Sequence, residues 1–403
     1  MPINNKSRIN NVITWLHLWL GLVSGIIVVI VSVTGCLFAF QVEITNLVHK
    51  KELFITPPAI GTAPLPMHTL MKKAAVALGP GHAPDYITTY RNPRRAWEFM
   101  DYQSGDQTAI TFPATIKSYQ SVFLNPYTGA VTGKLNYKHN FFFVVKYIHW
   151  SLYLNTKYGQ PIVGWGTLIF VISLITGFIM WIPKRWNKVE RDKSLTVRWK
   201  ANWKRLNYDL HNVLGFYTVL IALVLGLTGM IYAFQWFSRA VYASATLSSA
   251  PAPEPSFVSG TAATASPYPE DRAYSATVAA YPVASRYGIV WPATASSPLA
   301  VTAYRGKEVY YDATTEYYDR YSGKKLGMTS FADENAGEKI IAMNYDIHVG
   351  AIGGLAGKII AFIVSLIAAS LPVTGFMVWL GKKKKAPASV AAPRGRRKTR
   401  AVA

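Results

Sequence analysis

Four histidines stand at matched places in a chain of 403 residues. Leu16-His17-Leu18-Trp19-Leu20-Gly21 matches Leu210-His211-Asn212-Val213-Leu214-Gly215, and in both stretches Thr-Gly follows the histidine by 17 residues, as Thr34-Gly35 and Thr228-Gly229. Ile148-His149 leads to Thr176-Gly177-Phe178 and Trp181, as Ile347-His348 leads to Thr374-Gly375-Phe376 and Trp379. A lone histidine at a membrane boundary is ordinarily an interfacial polar residue. Four in register imply more, because an ionisable side chain in apolar surroundings is costly without a partner. Imidazole suits iron, copper and zinc, but two imidazoles alone make a poor closed zinc site. Two opposed imidazoles do suffice as axial ligands of haem iron, the porphyrin supplying the other donors. Leu16, Gly21, Leu210 and Gly215 beside them would let a flat macrocycle approach. His49, His68, His82 and His139 have no counterparts between the repeats and read as surface residues, with His139 the one substitute for His149.

The elements that must position these side chains are membrane helices. The chain is 51% hydrophobic and 15% charged, more apolar than soluble domains usually are. A hydrocarbon core about 30 Å thick needs roughly 20 apolar helical residues to cross it, and Leu16 to Phe40, Ile162 to Ile182, Leu214 to Phe237 and Leu355 to Leu380 qualify. The net charge of +22 lies beside the spans. Lys6 and Arg8 precede the first, nine Lys and Arg from Lys184 to Arg205 crowd the loop between the second and third, and Lys382 to Lys385 and an Arg-rich tail follow the fourth. This pattern is topology and attraction to anionic lipid, not nucleic-acid binding. It predicts both termini and that loop in the cytoplasm and the two long inserts on the other side. One cysteine, Cys36, leaves no intrachain disulfide and no Cys-x-x-Cys-His haem attachment. Val33-Thr34-Gly35-Cys36 resembles a lipoprotein cleavage box, but Met230 replaces the cysteine at the matching place and Leu37 to Phe40 continue the helix. The first span is expected to stay attached.

The chain thus reads as an α-helical integral membrane protein, a four-helix transmembrane bundle built from a duplicated helix-insert-helix unit with two α+β inserts. The expected divisions are 1–42 for the N-terminus and first span, 43–140 for the first insert, and 141–183 for an interfacial helix and second span. A basic loop at 184–207, the third span at 208–237, the second insert at 238–345, the fourth span at 346–381 and a basic tail at 382–403 follow. Each insert opens on a Pro-rich stretch, Pro57 to Pro66 and Ala250 to Pro269, then a helix, Met67 to Leu78 and about Tyr274 to Tyr287. Ala96 to Tyr102, Ser121 to Leu124, Ala300 to Ala303 and Val309 to Asp312 read as strands, with turns at Asn125-Pro126-Tyr127-Thr128-Gly129 and Arg320-Tyr321-Ser322-Gly323. Two small domains are expected. Parallel repeats set equivalent helices at equal depth, so His17 meets His211 near the inner face and His149 meets His348 near the outer face. Two haems at these depths would form a wire for electrons.

The His-x-x-Leu-Gly entry, the Thr-Gly near each helix end and the Asn125-Pro126-Tyr127-Thr128-Gly129 turn resemble the PepSY-associated transmembrane family over nearly the whole chain except the basic tail. The second insert departs from the pattern at Ala313-Thr314-Thr315. The branch of inner-membrane ferric-siderophore reductases is similar in its four spans, PepSY-like periplasmic inserts and haem b held by transmembrane histidines. The resemblance implies two haem b groups, the inner one on His17 and His211 and the outer one on His149 and His348, with a ferric siderophore of hydroxamate type reduced in the periplasm. Trp97, Trp291, Tyr304, Tyr310 and Tyr317 are candidates for its surface, or else domain core and interfacial belt. Absence of a dinucleotide fingerprint makes the electron donor another molecule, a cytoplasmic reductant or quinol. Two rivals stand: a non-enzymatic PepSY anchor restraining a periplasmic protease, and a transporter. The second draws on the run Gly350, Gly353, Gly354 and Gly357, though small residues at such spacing more often mark close helix packing.

Overall fold

The computed structural model describes residues 5–183, 185–248, 250, 255–261, 265–306 and 308–383; the Arg-rich tail expected to be cytoplasmic lies outside the described residues. The first half runs α1 (Asn5–Ala39), the short α2 (Gln41–Val48) and α3 (Lys50–Leu53), α4 (Met67–Leu78), β1 (Tyr86–Tyr90), β2 (Trp97–Ser104), β3 (Ile116–Leu124), β4 (Val131–Asn136), α5 (Phe141–Ser151) and α6 (Thr156–Trp181). After α7 (Lys188–Leu195), the second half runs α8 (Trp203–Asp209), a π-helical turn at Leu210–Leu214, α9 (Gly215–Ala233), α10 (Gln235–Thr246), α11 (Pro269–Ala280), β5 (Arg286–Val290), β6 (Leu299–Tyr304), β7 (Ala313–Tyr318), β8 (Lys325–Ser330), α12 (Ala336–His348) and α13 (Gly354–Lys383). The same order of elements runs twice.

Among the described residues four helical stretches are long and apolar enough to cross a membrane: Arg8–Ala39, Thr156–Trp181, Trp203–Ala233 and Ala351–Gly381. Each packs on two neighbours, α1 on α6 and α13 and α9 on the same two. Small residues permit the close approach that replaces the hydrophobic drive in lipid: Gly166 lies against Ile27 and Gly226 against Val171, each too close for a methyl group. Val23, Ile26, Leu220 and Leu366 point outward, as lipid requires.

Instead of two separate domains, the inserts build one eight-stranded antiparallel sheet in the order β4-β3-β2-β1-β5-β6-β7-β8. The join is β1 on β5, from Tyr86 opposite Val290 to Tyr90 opposite Arg286. Each insert alone would leave its first strand as an open edge, a template for unwanted pairing, and the two edges cover each other. α4 and α11 lie over one face and close a shared core of Leu70, Ala74, Ile87, Phe99, Val122, Ala273, Ile289 and Val301. Trp97 belongs to this core at 3% exposure and Trp291 packs against it, so neither presents a ligand surface.

Other expectations need correction. The helix placed at Tyr274 to Tyr287 begins at Pro269, a residue suited to a first helical turn, and ends at Ala280; Tyr287 belongs to β5. Val309 to Asp312 is not a strand, because the Tyr310 and Tyr311 amides donate to the Asp346 carboxylate, and β7 starts at Ala313. The glycine run does not pack helix on helix. Gly350, at φ 75°, turns the chain between α12 and α13, where its carbonyl lies so near Gly357 that neither residue has room for Cβ. Gly159 makes the equivalent corner against the Ser151 carbonyl. Nor are His68 and His82 plain surface residues: both are half-buried, His68 on Asp271 between the inserts and His82 2.7 Å from Asp101.

Two buried carboxylates make the sheet sensitive to acid. Burial alone would push the Asp101 carboxyl up, but hydrogen bonds from Ser118, His82 and Gln103 outweigh it and hold the group below its ordinary value. Burial likewise opposes the Lys325, Tyr318 and Thr277 contacts that hold Glu316 down. A depressed folded-state pKa gives stability that is complete above the unfolded value, roughly pH 4, and disappears as pH falls through the folded one. The unfolding midpoint, followed by tyrosine fluorescence in detergent, should therefore not change with pH on account of these groups between pH 7 and 5, where their contribution is full, and should drop below about pH 4. Asp101→Asn should lower it at pH 7, by about 1–3 kcal/mol in free energy, and flatten the acid limb.

Candidate functional site

Each of the four matched histidines sits in a seat made by the Thr-Gly of the other span of its own half. His17 Nδ1 lies 3.0 Å from the Ser173 carbonyl and 3.2 Å from Thr176 Oγ1. His149 Nδ1 lies 2.9 Å from the Val31 carbonyl and 3.2 Å from Thr34 Oγ1. In the second half His211 Nδ1 lies 3.1 Å from the Leu371 carbonyl and 3.0 Å from Thr374 Oγ1. His348 Nδ1 lies 2.9 Å from Thr228 Oγ1, and the Leu225 carbonyl accepts from the same ring.

These contacts fix the tautomer. A carbonyl can only accept, and every one of the four threonine hydroxyls already donates to the carbonyl four residues back, on Ile30, Ile172, Val224 and Ser370. Nδ1 must therefore carry the proton, which leaves the Nε2 lone pair for another partner. The glycine after each threonine provides space. A Cβ there would lie 2.9 Å from His17 Cε1 at Gly177 and 3.0 Å from His211 Cε1 at Gly375, but 3.4 Å from His149 Cε1 at Gly35 and 3.6 Å from His348 Cε1 at Gly229.

The halves meet through the rings. His17 faces His211 with ring centroids 6.1 Å apart and planes at 71°, and His149 faces His348 at 5.9 Å and 66°. Thr34 lies at the level of His149 and follows His17 on α1 by 17 residues, so at about 1.5 Å per residue the pairs are roughly 25 Å apart along the helix. One pair lies toward the basic loop and the other toward the sheet. A cavity of about 370 Å³ surrounds the sheet-side pair, lined among others by Trp150, Tyr232, Tyr345 and Lys146. Among the described residues no cluster of three or more His, Cys, Asp or Glu is built to hold a bare metal ion. His139, the substitute weighed for His149, is exposed at the end of a short turn ahead of α5.

A second motif in the sequence escaped the comparison of repeats. Asn207-Tyr208-Asp209-Leu210-His211 recurs as Asn344-Tyr345-Asp346-Ile347-His348, within the second half rather than between halves. Asn207 Nδ2 donates to the Thr374 carbonyl at 3.0 Å and Asn344 Nδ2 to the Thr228 carbonyl at 3.2 Å, so each amide grips the threonine that seats its own histidine. The aspartates, both fully buried, take backbone amides of incoming segments: Arg198 on Asp209, with Arg205 beside it, and Tyr310 and Tyr311 on Asp346. His211 itself lies in the π-helical turn, a distortion frequent at functional sites.

The family model described as the PepSY-associated TM region matches residues 14–382, a stretch that holds all four histidines, all four Thr-Gly seats and the whole sheet. No curated protein matches the chain.

The glycine distances rank four substitutions. Gly177→Ala and Gly375→Ala should displace the loop-side imidazoles and lower the thermal midpoint in detergent, by about 1–3 kcal/mol in free energy. Gly35→Ala and Gly229→Ala, which meet ordinary van der Waals contacts, should leave it within experimental scatter.

Proposed function

The chain belongs to the PepSY-associated TM-region family, and from that premise we propose that it is a di-haem b electron-transfer protein of a bacterial inner membrane, an oxidoreductase that reduces a ferric siderophore. The observation that carries this reading is the pair of opposed imidazole couples. With ring centroids 6.1 and 5.9 Å apart, each couple would be close enough to hold one haem iron between its two imidazoles. The donors also fit. Carbonyl and hydroxyl partners on Nδ1 keep each imidazole neutral and oriented, the arrangement metal-bound histidines ordinarily have, and the cavity at the sheet-side pair is of the size that holds cofactors. His149 and His348 would hold one haem, His17 and His211 the other.

When bound, haem supplies a one-electron iron(III)/iron(II) couple. The chain's own part would be to supply two imidazoles to each haem, which would favour electron transfer over oxygen binding, and to set one couple near each face of a hydrocarbon core about 30 Å thick. By the positive-inside rule the lysines and arginines of the 184–207 loop support a cytoplasmic loop, and with it a periplasmic sheet. A ferric siderophore as acceptor follows from the family resemblance and from chemistry: hydroxamate and catecholate oxygens are hard ligands that hold iron(III) far better than iron(II), so one electron loosens the metal. With no dinucleotide fingerprint in the sequence, the donor is a cytoplasmic reductant or quinol.

Absorption spectra of the detergent-purified protein, oxidised and dithionite-reduced, test the reading together with a pyridine haemochrome count. Low-spin b-type bands at two haems per chain are expected, falling to one in His211→Ala and one in His348→Ala, and the reduced protein should reoxidise when ferric hydroxamate is added. A protein that is colourless and stays colourless on reconstitution with haem would sink the proposal and bring the PepSY anchor or the transporter forward.

A further inference from the structure

Charged side chains at the level of the bundle are costly unless neutralised, and two lysines near the sheet-side end solve this differently. Lys358 of α13, 5% exposed, sits between two carboxylates, 2.8 Å from Glu43 and 2.6 Å from Glu308. Lys146 of α5 is exposed over much of its surface and has no acidic partner among the described residues; its Nζ lies 5.4 Å from the Tyr147 ring. Three residues before His149, Lys146 shares that histidine's helix face, and it is the one charged residue among the described residues that line the cavity. The corresponding place in the second half, three residues before His348, holds Tyr345, which lines the same cavity. One end of a chamber whose other lining side chains are apolar or uncharged polar is therefore positive.

We propose that Lys146 is the anchor for a carboxylate of the group held between His149 and His348, a haem propionate, and that it fixes which way round the macrocycle sits. The inference rests on the haem reading above. A planar ring gripped only by two imidazoles is free to rotate about the axis that joins them. A cation on one wall and a phenol on the other break that freedom.

The test isolates the sheet-side centre in a His17→Ala background and titrates the haem-free protein with haemin or with haemin dimethyl ester, which lacks free carboxylates, following growth of the Soret band. Haemin should bind at least about tenfold more tightly than its ester, the scale of a charge-assisted hydrogen bond. Lys146→Met should bind haemin about tenfold more weakly and no longer distinguish the two, whereas Lys146→Arg should keep the preference. The midpoint potential of the bound haem should fall in Lys146→Met, because removing a positive charge favours iron(III). Equal affinity of the unsubstituted Lys146 protein for haemin and ester overturns the inference without recourse to a variant, as does a preference that survives Lys146→Met; Lys146 is then a lysine reaching for the interface. No Soret band with either ligand overturns the haem reading itself.

Discussion

An imidazole among apolar helices has two nitrogens to satisfy, and here one is satisfied in the same way four times. Nδ1 points at the carbonyl three residues before a threonine and at that threonine's hydroxyl, and the next residue is a glycine that lets the ring's edge come close. The carbonyl has a second lone pair to spare beyond its helical bond. The threonine saturates its own proton on the preceding turn, so its oxygen is left to accept. Thr-Gly is thus a single device: it orients the ring, chooses the tautomer and frees Nε2. Each half closes this contact within itself, α1 seating His149 and α6 seating His17, α9 seating His348 and α13 seating His211. Neither half contains a pair. The pairs arise only where the halves meet, so any chemistry that needs two opposed imidazoles requires both halves folded together.

The halves are not equivalent. In the second, the amides of Asn207 and Asn344 hold the threonine carbonyls, and Asp209 and Asp346 pin the segments that arrive from the basic loop and from the sheet. The first half has Ile13 and Trp15 ahead of His17 and Val145 and Tyr147 ahead of His149; none of the four can accept a backbone amide through a carboxylate. One histidine of each pair is consequently tied through its own turn to structure outside the membrane as well as to its Thr-Gly seat, and the other is held by its seat alone.

The spans, the repeat and the meeting of histidines were legible because each is written in period and spacing: apolar length gives the spans, and 17 residues between histidine and Thr-Gly give the depth. The sheet was only half legible. Ala96 to Tyr102 and Ala300 to Ala303 alternate clearly, and β2 and β6 lie over them. The join of β1 to β5 connects residues about 200 apart in the chain, and nothing local to Tyr86-Ile87-Thr88-Thr89-Tyr90 names its partner. Val309 to Asp312 has a strand's composition, but a carboxylate 36 and 35 residues further on takes its amides. The Asn-Tyr-Asp-x-His motif was in plain view, missed because comparison ran between halves while the motif repeats within one.

The shared sheet bears on how the molecule can move. Transporters built from repeats work by rocking one repeat against the other about a site between them. Here β1 and β5 join the halves across five paired residues on one side of the bundle. Lys358 of α13 adds a buried bond to Glu43 of the first half and Glu308 of the second, and the seated histidines face one another at both depths. Rocking wide enough to open a path would have to break a continuous ladder or strip a buried ammonium of its carboxylates, a change that costs several kcal/mol where the charge stays buried and unpaired. Two histidine couples roughly 25 Å apart in a frame tied together at one end are therefore poorly arranged for the rocking of one half against the other.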